Sequence, residues 1–364
     1  MTIEDLKAED MALYQCLKAE ETRHYTELEM IASESIQPQM ALLLAGSAFN
    51  NKTAVGSIGK QRLQGSEYAD TLERLAAARV CEIFGAEHAN VTTYSGTVAN
   101  FCAYESVLKP YDSVVTLAPD VGAHQSHGGN GNISSKLYQF HYFGIKRGTS
   151  EIDYEEAERM AADVTPNPFP HADIVTASTT KTMCGPHSGF IMCKKEYAEQ
   201  IEASIYPGHV ASLHLQTIAA MTYTLKRSQT KEFKQMMQQV VRNAQWLCDA
   251  LLQRGFQIFT GGTDCHMFLL DLKPYGIDGV NFSEALNRAG ITVNSKRIPY
   301  ENTDLPGGIR AGTTVLTQRG MKEEQMEEVA DLFYILAKDK CSDVAVDKVR
   351  KRVITLTEAF PLPR

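Results

Sequence analysis

The chain has 364 residues, 43% of them hydrophobic and 22% charged, with a formal net charge of −8. That length is too great for one small core and predicts two domains, or one large and one small. The acidic balance argues against a nucleic-acid partner, which would call for clustered lysine and arginine, and no apolar run reaches the length of a membrane span. The start, "MTIEDLKAED", is acidic and unlike a signal peptide. The cysteines (Cys16, Cys81, Cys102, Cys184, Cys193, Cys248, Cys265 and Cys341) are scattered with no C-x-x-C pair, as buried thiols in a reducing compartment are. A soluble cytoplasmic protein is expected.

Residues 3–30 are rich in Glu, Lys, Leu and Ala and predict one or two amphipathic helices lying against a larger body. "MIASESIQPQM" breaks that pattern, and Pro38 opens a new helical stretch. A helix is predicted over 67–84, "EYADTLERLAAARVCEIF", ending at Gly85 as a C-cap. A strand follows at 89–94, then the turn "SGT", then a helix at 98–108. Apolar runs at 113–117, 137–143, 173–178 and 188–193 predict further strands. Strands alternating with helices imply a mostly parallel sheet covered on both faces. A long helical region at 211–254 reaches Gly255. Beyond it come strands near 256–260, 266–272, 290–293 and 308–312 and helices at 281–289 and 319–338, which read as a smaller α+β domain. The expected organisation is an N-terminal helical segment (1–40), a large domain (41–210), and linking helices with a small C-terminal domain (211–364). There is no internal repeat and no low-complexity segment.

Three places carry chemistry. Ser95-Gly96-Thr97 stands between a strand and a helix, where backbone N–H groups, two hydroxyls and the positive end of a helix dipole form a phosphate cradle. Simple N-capping is the competing reading, because Ser and Thr are favoured there anyway. His124 and His127 are three apart and would share a helix face, but no third ligand at recognisable spacing accompanies them, and His209 with His214 does no better. No metal is expected; a ring over a flat cofactor or a capped loop histidine fits His124 better. Lys181 lies in "TASTTKTMCGPHSGF" with no charged neighbour between Asp173 and Lys194. It is either a lysine whose stem packs while its head reaches water, or an imine-forming lysine activated by a desolvated site. Small hydroxyl neighbours let a bulky cofactor approach the backbone. Lysine and Ser-Gly-Thr turn together point to pyridoxal phosphate, which needs an amine and an anion site.

"ELEMIASESIQPQM", "NKTAVGSIGK", "YSGTVANF", "TASTTKTMCGPHSGFIMCKKE", "GGTDCHMFLLDL", "ITVN" and "GGIRAGT" follow in one order along nearly the whole chain. In that order the chain resembles serine hydroxymethyltransferase, a family of fold-type-I pyridoxal-phosphate enzymes. The resemblance implies an α/β fold of that type, with a mostly parallel large domain and a smaller α+β C-terminal domain. It implies Lys181 as the Schiff-base lysine, Ser95, Gly96 and Thr97 as phosphate ligands, and the ring of His124 over the pyridine. It has Arg310 clamp the substrate carboxylate together with Ser33, and a guanidinium does make a paired planar contact with a carboxylate. It also implies a homodimer whose sites draw on both subunits.

Departures from the family's pattern are as informative. Where the family has a "YAEGYPGKRYYGG"-like loop, this chain has "TAVGSIGKQRLQG". Thr53 replaces a tyrosine, Val55 replaces the glutamate that serves proton transfer and folate, and Arg62 and Leu63 stand where paired tyrosines line the folate site. Thr180 replaces the histidine before the lysine, and "YPGHVASLH" lacks the glycines that reach the neighbouring subunit's phosphate. Between the strands at 137–143 and 173–178 the family has two more strands with a helix, one carrying the aspartate that pairs with the pyridine nitrogen. Here "EIDYEEAERMAADVTPNPFPHA" offers one helix and a turn, too little for further parallel crossovers. Asp163 is the nearest acidic residue, but it lines up with the loop before "PNPFP". The expectation is that a segment bearing this aspartate has been lost from the sequence, leaving an implausible backbone step between about Met160 and Thr165.

These readings combine into a pyridoxal-phosphate enzyme that makes or breaks the Cα–Cβ bond of a small β-hydroxy amino acid (serine, threonine or glycine as partner), without folate. The alternative is a catalytically weak paralogue that serves as a binding or assembly partner.

Overall fold

The computed structural model describes residues 2–146, 151–157, 160 and 172–363. The backbone step expected between about Met160 and Thr165, and Asp163 with it, falls outside the described residues. The chain divides into two compact units, Ser35–Lys234 and Met1–Glu34 with Gln235–Arg364. In chain order the strands are β1 (Leu28–Glu29), β2 (His88–Asn90), β3 (Ser113–Leu117), β4 (Gln139–Phe143), β5 (Ile174–Ser178), β6 (Gly189–Cys193), β7 (Gln257–Ile258), β8 (Met267–Asp271), β9 (Ile291–Thr292), β10 (Asn294–Lys296) and β11 (Gly308–Gly312).

In the Ser35–Lys234 unit, helix Glu67–Phe84 buries Ala69, Glu73, Ala76 and Val80, residues three or four apart on one face. It stops at Gly85, whose φ of 69° is a left-handed conformation that costs glycine little, and whose N–H bonds the Cys81 carbonyl. That face packs on helix Leu215–Ser228, which buries Ile218, Met221 and Leu225. The region 211–254 is thus two helices, Leu215–Ser228 and Lys231–Gln253. The break has a local cause: Thr230 Oγ1 accepts the Phe233 N–H at 3.2 Å and starts the second helix.

The sheet of this unit is in two parts among the described residues. β6 lies between β2 and β5, antiparallel to both, with Thr176 and Asn90 each opposite Ile191. β3 and β4 pair in parallel, from Ser113 opposite Gln139 to Leu117 opposite Phe143. The parallel pairing expected of the large domain is therefore seen in β3 with β4. β6 reverses because the connection 179–188 is shorter than a parallel crossover requires. Burial follows the same division. β6 is buried throughout, whereas β3 is half-buried along its length and β5 exposes Val175. Two-sided burial is what parallel strands of an α/β sheet normally have. The core of the unit gathers on β6 and its helices, with Val80, Val91, Phe190, Ile191, Ile201, Met221 and Leu225; each such side chain contributes about 1.5–3 kcal/mol on burial.

The other unit holds an antiparallel sheet in the order β10-β11-β8-β7, with β1 parallel to β9 beside it. Helices Gly279–Arg288, Glu323–Lys338 and Asp343–Ala359 supply Phe282, Val329, Phe333, Leu336, Val349 and Val353 to its core. This is the α+β domain that the sequence implies. Helix Asp343–Ala359 goes beyond the predicted elements; Ser342 caps it by accepting the Ala345 N–H. The N-terminal region forms helices Leu6–Glu9 and Met11–Thr26, the second capped by Asp10, which accepts the Leu13 N–H at 3.0 Å.

Candidate functional site

Inside the Ser35–Lys234 unit a cavity of about 510 Å³ opens at the carboxyl end of β5 and the start of helix Gly96–Val107. Ser95, Gly96, Thr97, His124 and Lys181 all line it. These residues come from three separate parts of the sequence, and the fold brings them to one place.

Lys181 sits on the turn that joins β5 to β6. Thr179 closes the base of this turn: its N–H bonds the Ser188 carbonyl at 3.2 Å and its hydroxyl donates to the Pro186 carbonyl. Gly185 N–H reaches the Thr179 carbonyl at 2.8 Å, and Cys184 N–H the Lys181 carbonyl at 2.9 Å. Ser35 Oγ donates to the Thr180 carbonyl at 2.8 Å, tying the turn to a distant stretch of the same unit. Lys181 itself is exposed.

Ser95 is the N-cap of a 12-residue helix and its hydroxyl accepts the Val98 N–H at 3.1 Å. The Ser95 carbonyl takes the Ala99 N–H. The two donors before them, Gly96 and Thr97 N–H, have no intrahelical acceptor, and both residues line the cavity at the end of the helix where the dipole favours an anion. A Cβ at position 96 would stand 3.4 Å from Ser178 Cβ, and one at Gly189 would stand 2.6 Å from the Ser95 carbonyl oxygen. Both glycines let backbone segments approach where the cradle forms. Ser95 is thus a cap, and it leaves the first N–H groups of the helix without an intrahelical acceptor.

Behind these residues runs a set of short hydrogen bonds that sequence reasoning did not single out. Thr176 Oγ1 meets Asn100 Oδ1 at 2.5 Å, Asn100 Nδ2 meets Ser126 Oγ at 2.7 Å, and Ser126 Oγ meets His124 Nδ1 at 2.8 Å. His127 lies 3.4 Å from Asn100 Nδ2 through Nε2 and 2.5 Å from the Tyr104 hydroxyl through Nδ1. Periodicity held part of the signal. Asn100 is one helical turn after Gly96, and Thr176 shares a strand face with Ser178. Burial and the Lys181 charge lower the His124 pKa; burial and His124 lower that of His127. Both shifts favour the neutral ring. His214 stacks on Tyr94 with centroids 4.2 Å apart, and His209 pairs with Glu105.

Arg310 and Ser33 belong to the other unit. Arg310 lies on β11 opposite Asn294 of β10, and its Nε donates to Asn294 Oδ1 at 3.3 Å. Burial lowers its pKa, and no carboxylate among the described residues pairs with it. Ser33 follows a segment tied to the end of β11: Gly312 N–H bonds the Met30 carbonyl at 2.8 Å, and His266 Nε2 meets the Ala32 carbonyl at 3.1 Å.

In the loop that departs from the family's pattern, Thr53, Arg62 and Leu63 are exposed, and the Arg62 guanidinium stands over the Tyr206 ring at 5.5 Å. Val55 is half-buried, and its carbonyl accepts the Arg62 N–H at 2.8 Å.

The cavity suits pyridoxal phosphate at two points: open N–H groups for a phosphate and an amine for an aldehyde. At a third it does not, since no Asp or Glu stands among its described lining residues to face a pyridinium nitrogen. The family model for serine hydroxymethyltransferase matches this chain over residues 6–162 and 156–333. The two stretches overlap at 156–162, between β4 and β5. Pyridoxal 5'-phosphate is the cofactor of that family.

Proposed function

This chain belongs to the serine hydroxymethyltransferase family, the fold-type-I pyridoxal-phosphate transferases that act on serine and glycine, and we propose that it makes or breaks the Cα–Cβ bond of a small β-hydroxy amino acid without folate. The observation that carries this is the opening of Lys181 and the Ser95–Thr97 turn onto one cavity.

In this reading Lys181 Nζ anchors the cofactor, the N–H groups of Gly96 and Thr97 with the Ser95 and Thr97 hydroxyls hold its phosphate, and the His124 ring covers its flat face. Arg310 and Ser33 take the amino-acid carboxylate, the guanidinium supplying two parallel N–H donors. When bound, the cofactor supplies a carbonyl for the substrate amine and an electron sink for the bond broken at Cα. The β-hydroxyl must give up its proton as the aldehyde leaves, and Cα must gain one. Among the described lining residues the groups able to carry protons are Lys181, His124, His127 and His187.

Independence from folate is supported by Val55, which cannot exchange a proton, and by Arg62 and Leu63, which leave no paired aromatic walls in that loop. A homodimer and a cytoplasmic location belong to the same proposal. No helix among the described residues is long and apolar enough to cross a membrane.

The deciding experiment is serine and threonine cleavage by purified protein with pyridoxal phosphate, with and without tetrahydrofolate. Aldehyde release that is independent of folate supports the proposal; release that rises strongly with folate removes its second half. The absence of a carboxylate among the described lining residues favours a second reading, a catalytically weak paralogue with a binding role. Protein that takes up the cofactor on Lys181 yet cleaves nothing would establish that reading instead.

A further inference from the structure

We infer that Asn100 is a positioning residue that holds His124 and His127 in opposite neutral tautomers, with the proton of His124 on Nε2 and that of His127 on Nδ1. One hydrogen bond has a fixed direction. The main-chain N–H of Ser126 lies 3.2 Å from His124 Nδ1. An amide N–H only donates, so Nδ1 must present its lone pair, and the neutral ring carries hydrogen on Nε2. Ser126 Oγ, 2.8 Å from the same Nδ1, then spends its single hydrogen on that lone pair.

With its hydrogen used, Ser126 Oγ can only accept from Asn100, 2.7 Å away. The contact is therefore made by the Asn100 NH₂, which sets the orientation of the amide. Its Oδ1 faces Thr176, whose hydroxyl donates at 2.5 Å. The second Asn100 N–H faces His127 Nε2 at 3.4 Å. That nitrogen accepts, so His127 carries hydrogen on Nδ1 and donates it to the Tyr104 hydroxyl oxygen at 2.5 Å. Turning the amide over would oppose N–H to N–H between Ser126 and His124. Ser126 is 0% exposed and Asn100 9%, so bulk water cannot take over these contacts. Neutral rings, which this pattern requires, agree with the lowered pKa values of both imidazoles.

One consequence rests on the reading of the cavity as the reaction site. A His124 protonated on Nε2 offers an N–H donor to an oxygen in the cavity and has no free lone pair there. It would hold an oxygen, and acceptance of the β-hydroxyl proton would fall to another lining group, Lys181 or His187.

The test is long-range ¹H–¹⁵N correlation on full-length protein labelled with ¹⁵N-histidine, with and without pyridoxal phosphate, at neutral pH. The two signals are assigned by their loss in H124N and H127N. The expected pattern is Nε2–H for His124 and Nδ1–H for His127. In Asn100→Asp both carboxylate oxygens accept, so His127 should gain a proton on Nε2. Reversed tautomers in the unaltered protein, or a His127 that stays protonated on Nδ1 alone in N100D, overturn the inference. Should N100D fail to fold, the pattern in the unaltered protein decides. No turnover enters the measurement, so correct tautomers in an inactive protein would count against the proposed reaction and leave the role of Asn100 standing.

Discussion

Gly189 and Ser95 meet across the Ser35–Lys234 unit so closely that a Cβ on Gly189 would stand 2.6 Å from the Ser95 carbonyl oxygen and 2.8 Å from Gly96 N. The first residue of β6 thus presses on the turn that opens helix Gly96–Val107. Gly189→Ala must push that turn outward, an overpacking that costs about 1–3 kcal/mol. Because the displaced atoms include a proposed phosphate donor, affinity for pyridoxal phosphate should fall about tenfold or more. Titration of cofactor fluorescence measures it, and an unchanged affinity would show that the turn does not hold the phosphate.

Lys181→Ala should abolish covalent attachment. Borohydride treatment of the unaltered protein with pyridoxal phosphate, followed by peptide mapping, should place the reduced adduct on Lys181. An adduct that survives in the alanine variant would reassign the anchor.

Arg310→Lys keeps the charge and loses the planar pair of donors. A charge-assisted hydrogen bond is worth roughly 1.5–3 kcal/mol, so KM for the amino acid should rise about tenfold to a hundredfold. The kcat should change less, since the lost contact is made in the bound ground state as well as in the transition state. An unaltered KM would remove Arg310 from substrate binding.

Glu73 gives a pH dependence of stability. It is 3% exposed, and burial, with Glu202 and Asp70 nearby, pushes its pKa up to about 8 from an ordinary 4.5. The folded state therefore holds this proton more tightly than the unfolded state does. Stability from this group is complete below the unfolded value and is lost as pH rises through the folded one, at about 1.4 kcal/mol per pH unit in between. Glu73→Gln keeps the shape and removes the titration. Denaturant unfolding should show the variant gaining on the parent as pH rises from about 5 to about 8, and parallel pH profiles would refute the assignment.

Much of the fold was legible because its signals are local. The helix Glu67–Phe84 and the strands β3 and β11 have their predicted bounds, since apolar spacing and a Gly85 with positive φ act over a few residues. The break at Gln229–Thr230 passed unseen because "KRSQTKEF" has neither glycine nor proline, and a threonine cap is a weak mark inside a long helical pattern. Helix Asp343–Ala359 and strand β10 were missed for related reasons, the first beyond the last matched motif and the second short and polar.

By itself the sequence determined the residue types and their order: a lysine among hydroxyls, a Ser-Gly-Thr turn before a helix, an arginine on a strand, and a family's motifs in sequence. It also showed a shortage of chain between β4 and β5, and the described sheet divides there, β3–β4 on one side and β2–β6–β5 on the other. Only the tertiary structure decided that Lys181, Ser95 and His124 line one cavity, that Lys181 is exposed in it, and that Asn100 lies between Thr176 and Ser126. The physical reason is range. Helix periods and turn residues act between near neighbours, whereas hydrogen-bond partners so far apart along the chain are chosen by how strands and helices pack, and no short stretch of sequence records that choice.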